Sequence, residues 1–387
     1  MRRWAVLLLC SLLFGCASVP EPPPLPAESP LFADAAFAPP SQHISADEVF
    51  ALSPAMQRFL DSEPLSPLRQ PDPRRHLLDL LYRKGKLVLE YDAAATRNAA
   101  QAFDARAGNC LSLVIMTATF AKAMGLPVAY QSVFVDEAWS RSGDLYFASG
   151  HVNLSLSWTP MTATVTRNTE SSLVVDFLPP DALRGQRSRV IPERTVVAMF
   201  MNNRAAEAMA RGAVDDAYWW AREAMRQDSS FLVAYNTLGV VYLRHGQPQQ
   251  AQALFETVLR REPENTKVMG NLVRAYEQQG QTDAAQRLAA RLAQIEPHPP
   301  FFWFNAGLAA MREHDYRSAR ELFNKELGRE AYYHEFHFWL AQAEAGLGNL
   351  KEARKHLELA LQGSTTAHDH DIYAAKLDRL RAAYGVQ

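Results

Sequence analysis

Three side chains in the middle of the sequence have the types needed for covalent acyl chemistry. They are Cys110, His151 and Asp176, in that order, 41 and then 25 residues apart. A cysteine attacks a carbonyl carbon as its thiolate. An imidazole takes the thiol proton and later gives it to the leaving amine, and a carboxylate orients the ring and stabilises its charged form. Cys110 ends the run Arg106-Ala107-Gly108-Asn109-Cys110 and opens an apolar helical stretch, Leu111 to Met124. The positive end of a helix favours an anion, and its first N–H groups can face an oxyanion. Gly108 lets a substrate backbone come close. Asp176 lies in Leu173-Val174-Val175-Asp176-Phe177, an apolar setting where a carboxylate is expensive unless it is paired. The imidazolium of His151 is its natural partner. Taken singly, each residue has an ordinary explanation. Cys110 can be a small buried hydrophobe, His151 a hydrogen-bonded strand residue, and Asp176 a turn cap or a partner of Arg184 or Arg187.

The elements that must position these groups form a mixed pattern between Pro71 and Glu193. Arg74 to Leu81 reads as a helix and Leu87 to Tyr91 as extended. Thr96 can cap a short helix carrying Ala99, Ala102 and Phe103. Gly125-Leu126-Pro127 stops the helix that begins at the cysteine. Strands follow at Val128–Val135, within Leu145–Trp158 and at Ser172–Pro179. Arg-x-Gly-Asn-Cys opening a helix, Gly-Leu-Pro closing it, Gly-His in a strand and Val-Asp-Phe in the next resemble the bacterial transglutaminase-like branch of the papain-like fold. The resemblance implies an α+β domain with Cys110 as nucleophile, His151 as general base and Asp176 as the residue that orients it. It also implies a thioester intermediate, resolved by water or by an amine. Bacterial relatives look mostly hydrolytic, which favours an amidase or protease. Tyr91 is a second oxyanion donor by position only. Trp139 and Trp158 line the acyl groove or belong to the core.

The 387 residues suit two domains. A formal charge of −2, with no basic block, gives no reason to expect nucleic acid. Three cysteines build neither a disulfide framework nor a four-thiolate zinc site, and no metal or cofactor is expected. Two of the three lie near the start. Met1-Arg2-Arg3 precedes an apolar stretch, Trp4 to Phe14, too short to span a bilayer. Leu13-Phe14-Gly15-Cys16 resembles a bacterial lipobox. The resemblance implies a signal peptide over 1–15, lipidation of Cys16 and, with Ala17 next, an outer-membrane anchor facing the periplasm. Cys110 would then be the sole free thiol of the mature chain. Eight prolines between Val19 and Pro40 predict an extended tether over 16–44. Order is expected to begin at Ser45-Ala46-Asp47-Glu48, which reads as a capping box opening a helix.

The second half repeats itself every 34 residues. Tyr235, Leu238, Gly239, Tyr242, Gly246, Ala251, Phe255 and Pro263 are followed one period later by Met269, Leu272, Tyr276, Gly280, Ala285 and Pro297. Further steps reach Trp303, Gly307, Ala319 and Phe323, then Ala341, Gly348, Ala353 and Leu357. One step back gives Ala205, Ala208, Gly212, Ala217 and Ala221. This resembles the tetratricopeptide repeat. Five repeats are expected over 198–367, after the cysteine domain (45–197) and before a capping helix (368–387). Small residues sit where paired helices cross, and a solenoid needs a cap at its open end. The resemblance implies a protein or peptide partner on the solenoid groove. Trp219, Trp220, Phe301, Phe302, Trp303, Tyr332 and Tyr333 are assigned to inter-repeat core. His334, His337, His356, His368 and His370 are assigned to helix surfaces. The competing functional reading is a non-catalytic anchored scaffold that uses both domains for protein–protein contacts.

Overall fold

The computed structural model describes residues 29–62, 72–82, 90–92, 95–142, 145–158, 172–177, 186–364 and 367–384. The signal segment and Cys16 lie outside them. The N-terminal half holds α1 (Pro54–Ser62), α2 (Pro73–Tyr82), β1 (Glu90–Tyr91), α3 (Ala99–Ala105), β2 (Ala107–Gly108) and α4 (Cys110–Ala123). Then come β3 (Val128–Ser142), β4 (Leu145–Leu156), β5 (Leu173–Val175) and β6 (Arg187–Ile191). The larger sheet has the order β5-β4-β3-β6, with antiparallel neighbours throughout. β1 and β2 form a separate parallel pair.

Helix α4 is the centre of this half. Leu111 to Ala121 is buried without interruption. Its residues share one core with Val152, Leu154 and Leu156 of β4, which alternate along the strand as one face must. Thr117 and Thr119 turn their hydroxyls back to the carbonyls of Leu113 and Ile115, at 2.7 and 2.9 Å, so no polar group is stranded there. Gly125 ends the helix with a φ of +72°.

Five helical hairpins follow: α5 (Glu193–Ala210) with α6 (Val214–Gln227), α7 (Leu232–Arg244) with α8 (Pro248–Arg261), α9 (Thr266–Gln278) with α10 (Thr282–Ile295), α11 (Phe302–Arg312) with α12 (Tyr316–Leu327), and α13 (His334–Gly346) with α14 (Leu350–Gly363). A last helix, α15 (Ala367–Tyr384), buries Tyr373 and Leu377 against the end. Within the hairpins the small positions are obligatory. A Cβ on Gly239 would lie 2.4 Å from the Phe255 ring, and one on Gly307 would lie 2.5 Å from Phe323. The fourth hairpin has no glycine at its turn; His314 takes up a φ of +59° there. Among the described residues, no helix is long and apolar enough to cross a membrane.

Several expectations need correction. The helix expected to open at Ser45 begins at Pro54. Proline fits the first helical position, and the Ser53 hydroxyl accepts the Met56 N–H at 3.2 Å. The boundary at 197/198 falls inside α5, whose Val196, Val197, Phe200 and Met201 share the core of α4. Phe302 and Tyr332 are exposed, whereas Trp220 and Phe301 are buried as core residues. His337 is buried, and its Nδ1 lies 3.1 Å from Nδ1 of His356 on the next helix, so this pair is not a surface feature.

The largest difference concerns the tether. Residues 29–44 are not a spacer held away from the domains; they lie along the first two hairpins. Phe37 is buried and stacks on Tyr218 with ring centroids 3.9 Å apart. Asp34 accepts a two-pronged bond from Arg222 at 2.8 and 2.9 Å. The Tyr242 hydroxyl donates to the Leu31 carbonyl at 2.8 Å. Asp216 accepts from the Ser41 backbone and hydroxyl at 2.7 and 2.6 Å. One 3-10 turn, Asp34–Ala36, lies in this strap ahead of prolines 39 and 40, and the apolar residues between them and Pro30 give it something to bury. Phe37→Ala should cost about 3–5 kcal/mol. It should also open residues 29–44 to limited proteolysis. Unchanged melting and cleavage would show that the strap contributes nothing.

Candidate active site

The sheet brings His151 and Asp176 together. β5 pairs with β4 so that Val175 lies opposite Leu154. Asp176 therefore leaves the strand end beside the outgoing half of β4. His151 Nε2 is 2.7 Å from Asp176 Oδ1, and both side chains are almost fully buried. The pairing of β3 with β4 shifts register between Val133, opposite His151, and Ala138, opposite Ser149. A bulge of this kind re-aims the side chains next to it.

Cys110 is the first residue of α4 and is half-buried. It lies close enough to the His151 ring to help raise the pKa of that ring. Because Asp176 engages Nε2, Nδ1 is the ring atom that remains for the sulfur. Burial pulls the imidazole pKa down. The Asp176 carboxylate and then Cys110 more than offset this, and the ring is pushed up to about 9. The imidazolium is therefore the resting form at neutral pH. A ring in this form carries a proton it can donate.

Two further residues complete the site. Asn153 Nδ2 donates to Asp176 Oδ2 at 2.7 Å, so each oxygen of the carboxylate has a partner. Asn153 stands two residues from His151 on the same strand face, a period-2 relation visible in the sequence although no role was assigned to it. Its own Oδ1 is buried without a hydrogen bond among the described residues. Asn109 is the N-cap of α4, and its Oδ1 accepts the Ser112 N–H at 2.9 Å. Thr96, expected to cap α3, does not. Asn98 caps α3 in a capping box with Gln101, and the Thr96 hydroxyl accepts from Asn109 Nδ2 at 2.9 Å.

Tyr91 is placed by its backbone only: it pairs with Gly108, two residues before the cysteine. Its side chain and that of Trp139 lie outside the described residues. Trp158 packs at the edge of the core, with the Arg74 guanidinium 5.9 Å from its ring centre. Among the described residues no three metal-ligating side chains cluster.

Family models for the tetratricopeptide repeat match residues 242–301 and 304–368. The C-terminal half is a tetratricopeptide solenoid. Similar solved structures include a thermophilic tetratricopeptide protein from Thermus thermophilus, with 19% identity and a TM-score of 0.31 over 46% of this chain and 98% of that one. PilF of Pseudomonas aeruginosa shares 19% identity, with a TM-score of 0.29 over 51% of this chain and 96% of its own. YrrB, described as a tetratricopeptide protein with an unusual peptide-binding site, shares 20%, with a TM-score of 0.25 over 46% and 92%. No curated protein matches the chain.

A raised His151 pKa ties stability to pH. The ring stabilises the folded state fully below about 6.5, its ordinary value, and that contribution is lost as pH rises through about 9. The melting temperature should therefore fall between pH 7 and 10, with a loss on the order of 3 kcal/mol. His151→Gln should flatten the dependence. An equal slope in the variant would place the titrating group elsewhere.

Proposed function

We propose that this chain is an envelope-anchored cysteine acyl-transfer enzyme of transglutaminase-like type, working as an amidase or protease, with its solenoid recruiting a protein or peptide partner. The observation that carries this reading is the buried His151–Asp176 pair, 2.7 Å apart, with Cys110 nearby at the first turn of α4.

In the proposed cycle the Cys110 sulfur attacks an amide carbonyl as the thiolate, beside the imidazolium of His151. The C–S bond forms and the carbonyl π electrons move to oxygen. The N–H groups of the first turn of α4 face that oxyanion. The tetrahedral species collapses, the C–N bond breaks, and His151 gives its proton to the amine as it leaves. Neutral His151 then takes a proton from water, and the hydroxide attacks the thioester. Collapse breaks the C–S bond and releases the acid, leaving the Cys110 thiolate beside the imidazolium that holds the proton taken from water. An amine in place of water would give cross-linking. Asp176 stays ionised throughout, held by Asn153 on its far oxygen.

The second reading, a non-catalytic scaffold, is supported by the solenoid, whose repeats belong to a family of protein-interaction modules. Alkylation separates the two. At pH 6, iodoacetamide should modify Cys110 at least about tenfold faster than free cysteine. Asp176→Ala should lose most of that advantage. A rate no better than free cysteine would leave the scaffold standing. For the anchor, the mass of the mature N-terminus should show Cys16 carrying a diacylglycerol and an acyl chain. An unmodified Cys16 would remove the membrane from the proposal.

A further inference from the structure

The first helix of the solenoid reaches the start of the helix that carries the cysteine. Glu207 of α5 accepts the Thr96 backbone N–H on Oε1 at 2.6 Å. Arg204, one turn earlier, donates to the Thr96 carbonyl at 3.3 Å and lies 3.4 Å from the second oxygen of Glu207. Both backbone groups of a buried residue are thus held by one ion pair on a different module. Thr96 is 1% exposed, so water does not serve it instead.

Thr96 passes this placement on through its hydroxyl, which accepts from Asn109 Nδ2 at 2.9 Å. The other end of that amide is committed to α4: Asn109 Oδ1 accepts from the Ser112 N–H at 2.9 Å and from the Ser112 hydroxyl at 2.8 Å. An amide bonded at both ends cannot turn over without losing both bonds. The residue beside the cysteine is therefore fixed between the helix it caps and a loop gripped by α5. The same Ser112 hydroxyl accepts the Arg97 N–H at 2.8 Å, which closes the loop over the helix start.

Resting on the reading of Cys110 as nucleophile, we propose that Glu207 and Arg204 are positioning residues for it. The first repeat of the solenoid sets the place and reactivity of the cysteine through Thr96 and Asn109. Neither side chain touches the sulfur; each acts through the loop. The solenoid is then part of the site's construction as well as a means of recruiting partners.

The test uses the full chain and the second-order rate of iodoacetamide reaction at Cys110 from pH 5 to 10. Thr96→Val keeps the side-chain shape and removes the acceptor. Glu207→Ala removes the grip on the loop. Each should slow the reaction near pH 6 about fivefold or more and move the pH profile toward that of free cysteine. Thr96→Ser restores the acceptor and should stay within about twofold of wild type. Gly239→Ala destabilises the second hairpin away from the loop, so it should melt earlier and react at the wild-type rate.

Fast wild-type reaction with Thr96→Val and Glu207→Ala equally fast overturns the inference and leaves the catalytic reading intact. Gly239→Ala slowed as much as they are also overturns it, because lost stability alone would then explain the effect. Wild-type Cys110 reacting no faster than free cysteine overturns the catalytic reading, and this inference falls with it.

Discussion

A helix buried along nearly its whole length cannot turn to water for the N–H groups at its start. Helix α4 is such a helix, and its opening turn also holds the Cys110 sulfur. The Ser112 N–H there finds its partner inside the protein, and that partner must be satisfied in turn. Asn109 closes the turn, Thr96 receives the spare end of Asn109, and Glu207 with Arg204 holds Thr96. The demand passes outward in three steps and stops at an ion pair that solvent can reach. The layout of the chain follows from this. The sheet has to stand against α4 to present His151, and α5 has to lie close enough to supply the last link. That closeness is why the apolar core runs without a gap from Phe37 to Ala275.

The solenoid solves a related problem in another way. Beyond Ala275 the core divides, and a second cluster begins at Phe301. Helix α11 starts there after a residue in the left-handed region and has no cap of its own. Glu326, 2% exposed on the following helix, reaches back and accepts from the N–H groups of Phe301, Trp303 and Phe304 at 3.3, 2.9 and 3.1 Å. A carboxylate at a helix start favours the dipole as well as the hydrogen bonds. Helix α4 is thus capped by its own Asn109, and α11 by a side chain borrowed from the next helix.

How much of this could be read from the sequence depends on the range of the cause. The repeat is legible because its cause is local and recurs. Gly239 and Gly307 must be small to admit Phe255 and Phe323, and that requirement returns every 34 residues. The helix start at Cys110 and the stop at Gly125 are legible for the same reason. Other features are set by contacts distant in sequence. Thr96 has the chemistry of a cap, and whether it caps α3 or receives Asn109 depends on α5, more than a hundred residues later. Ser45 and Ser53 both resemble caps, and Pro54 decides between them. The strap was hidden by composition, since it ends a run of eight prolines from Pro20 to Pro40, and Phe37 meets Tyr218 and Tyr242 only once the hairpins exist. Asn153 shows the opposite failure: the i, i+2 spacing was visible, and its meaning depended on where Asp176 would arrive.

The strap also decides how the molecule meets mechanical load. Any pull arriving along the chain from before Ser29 reaches the Asp34–Arg222 fork and the Phe37–Tyr218 stack before it reaches α1, the sheet or the start of α4. Those contacts fall on both of the first two hairpins, so several bonds share the load. Tension therefore enters the first two hairpins before it reaches the sheet.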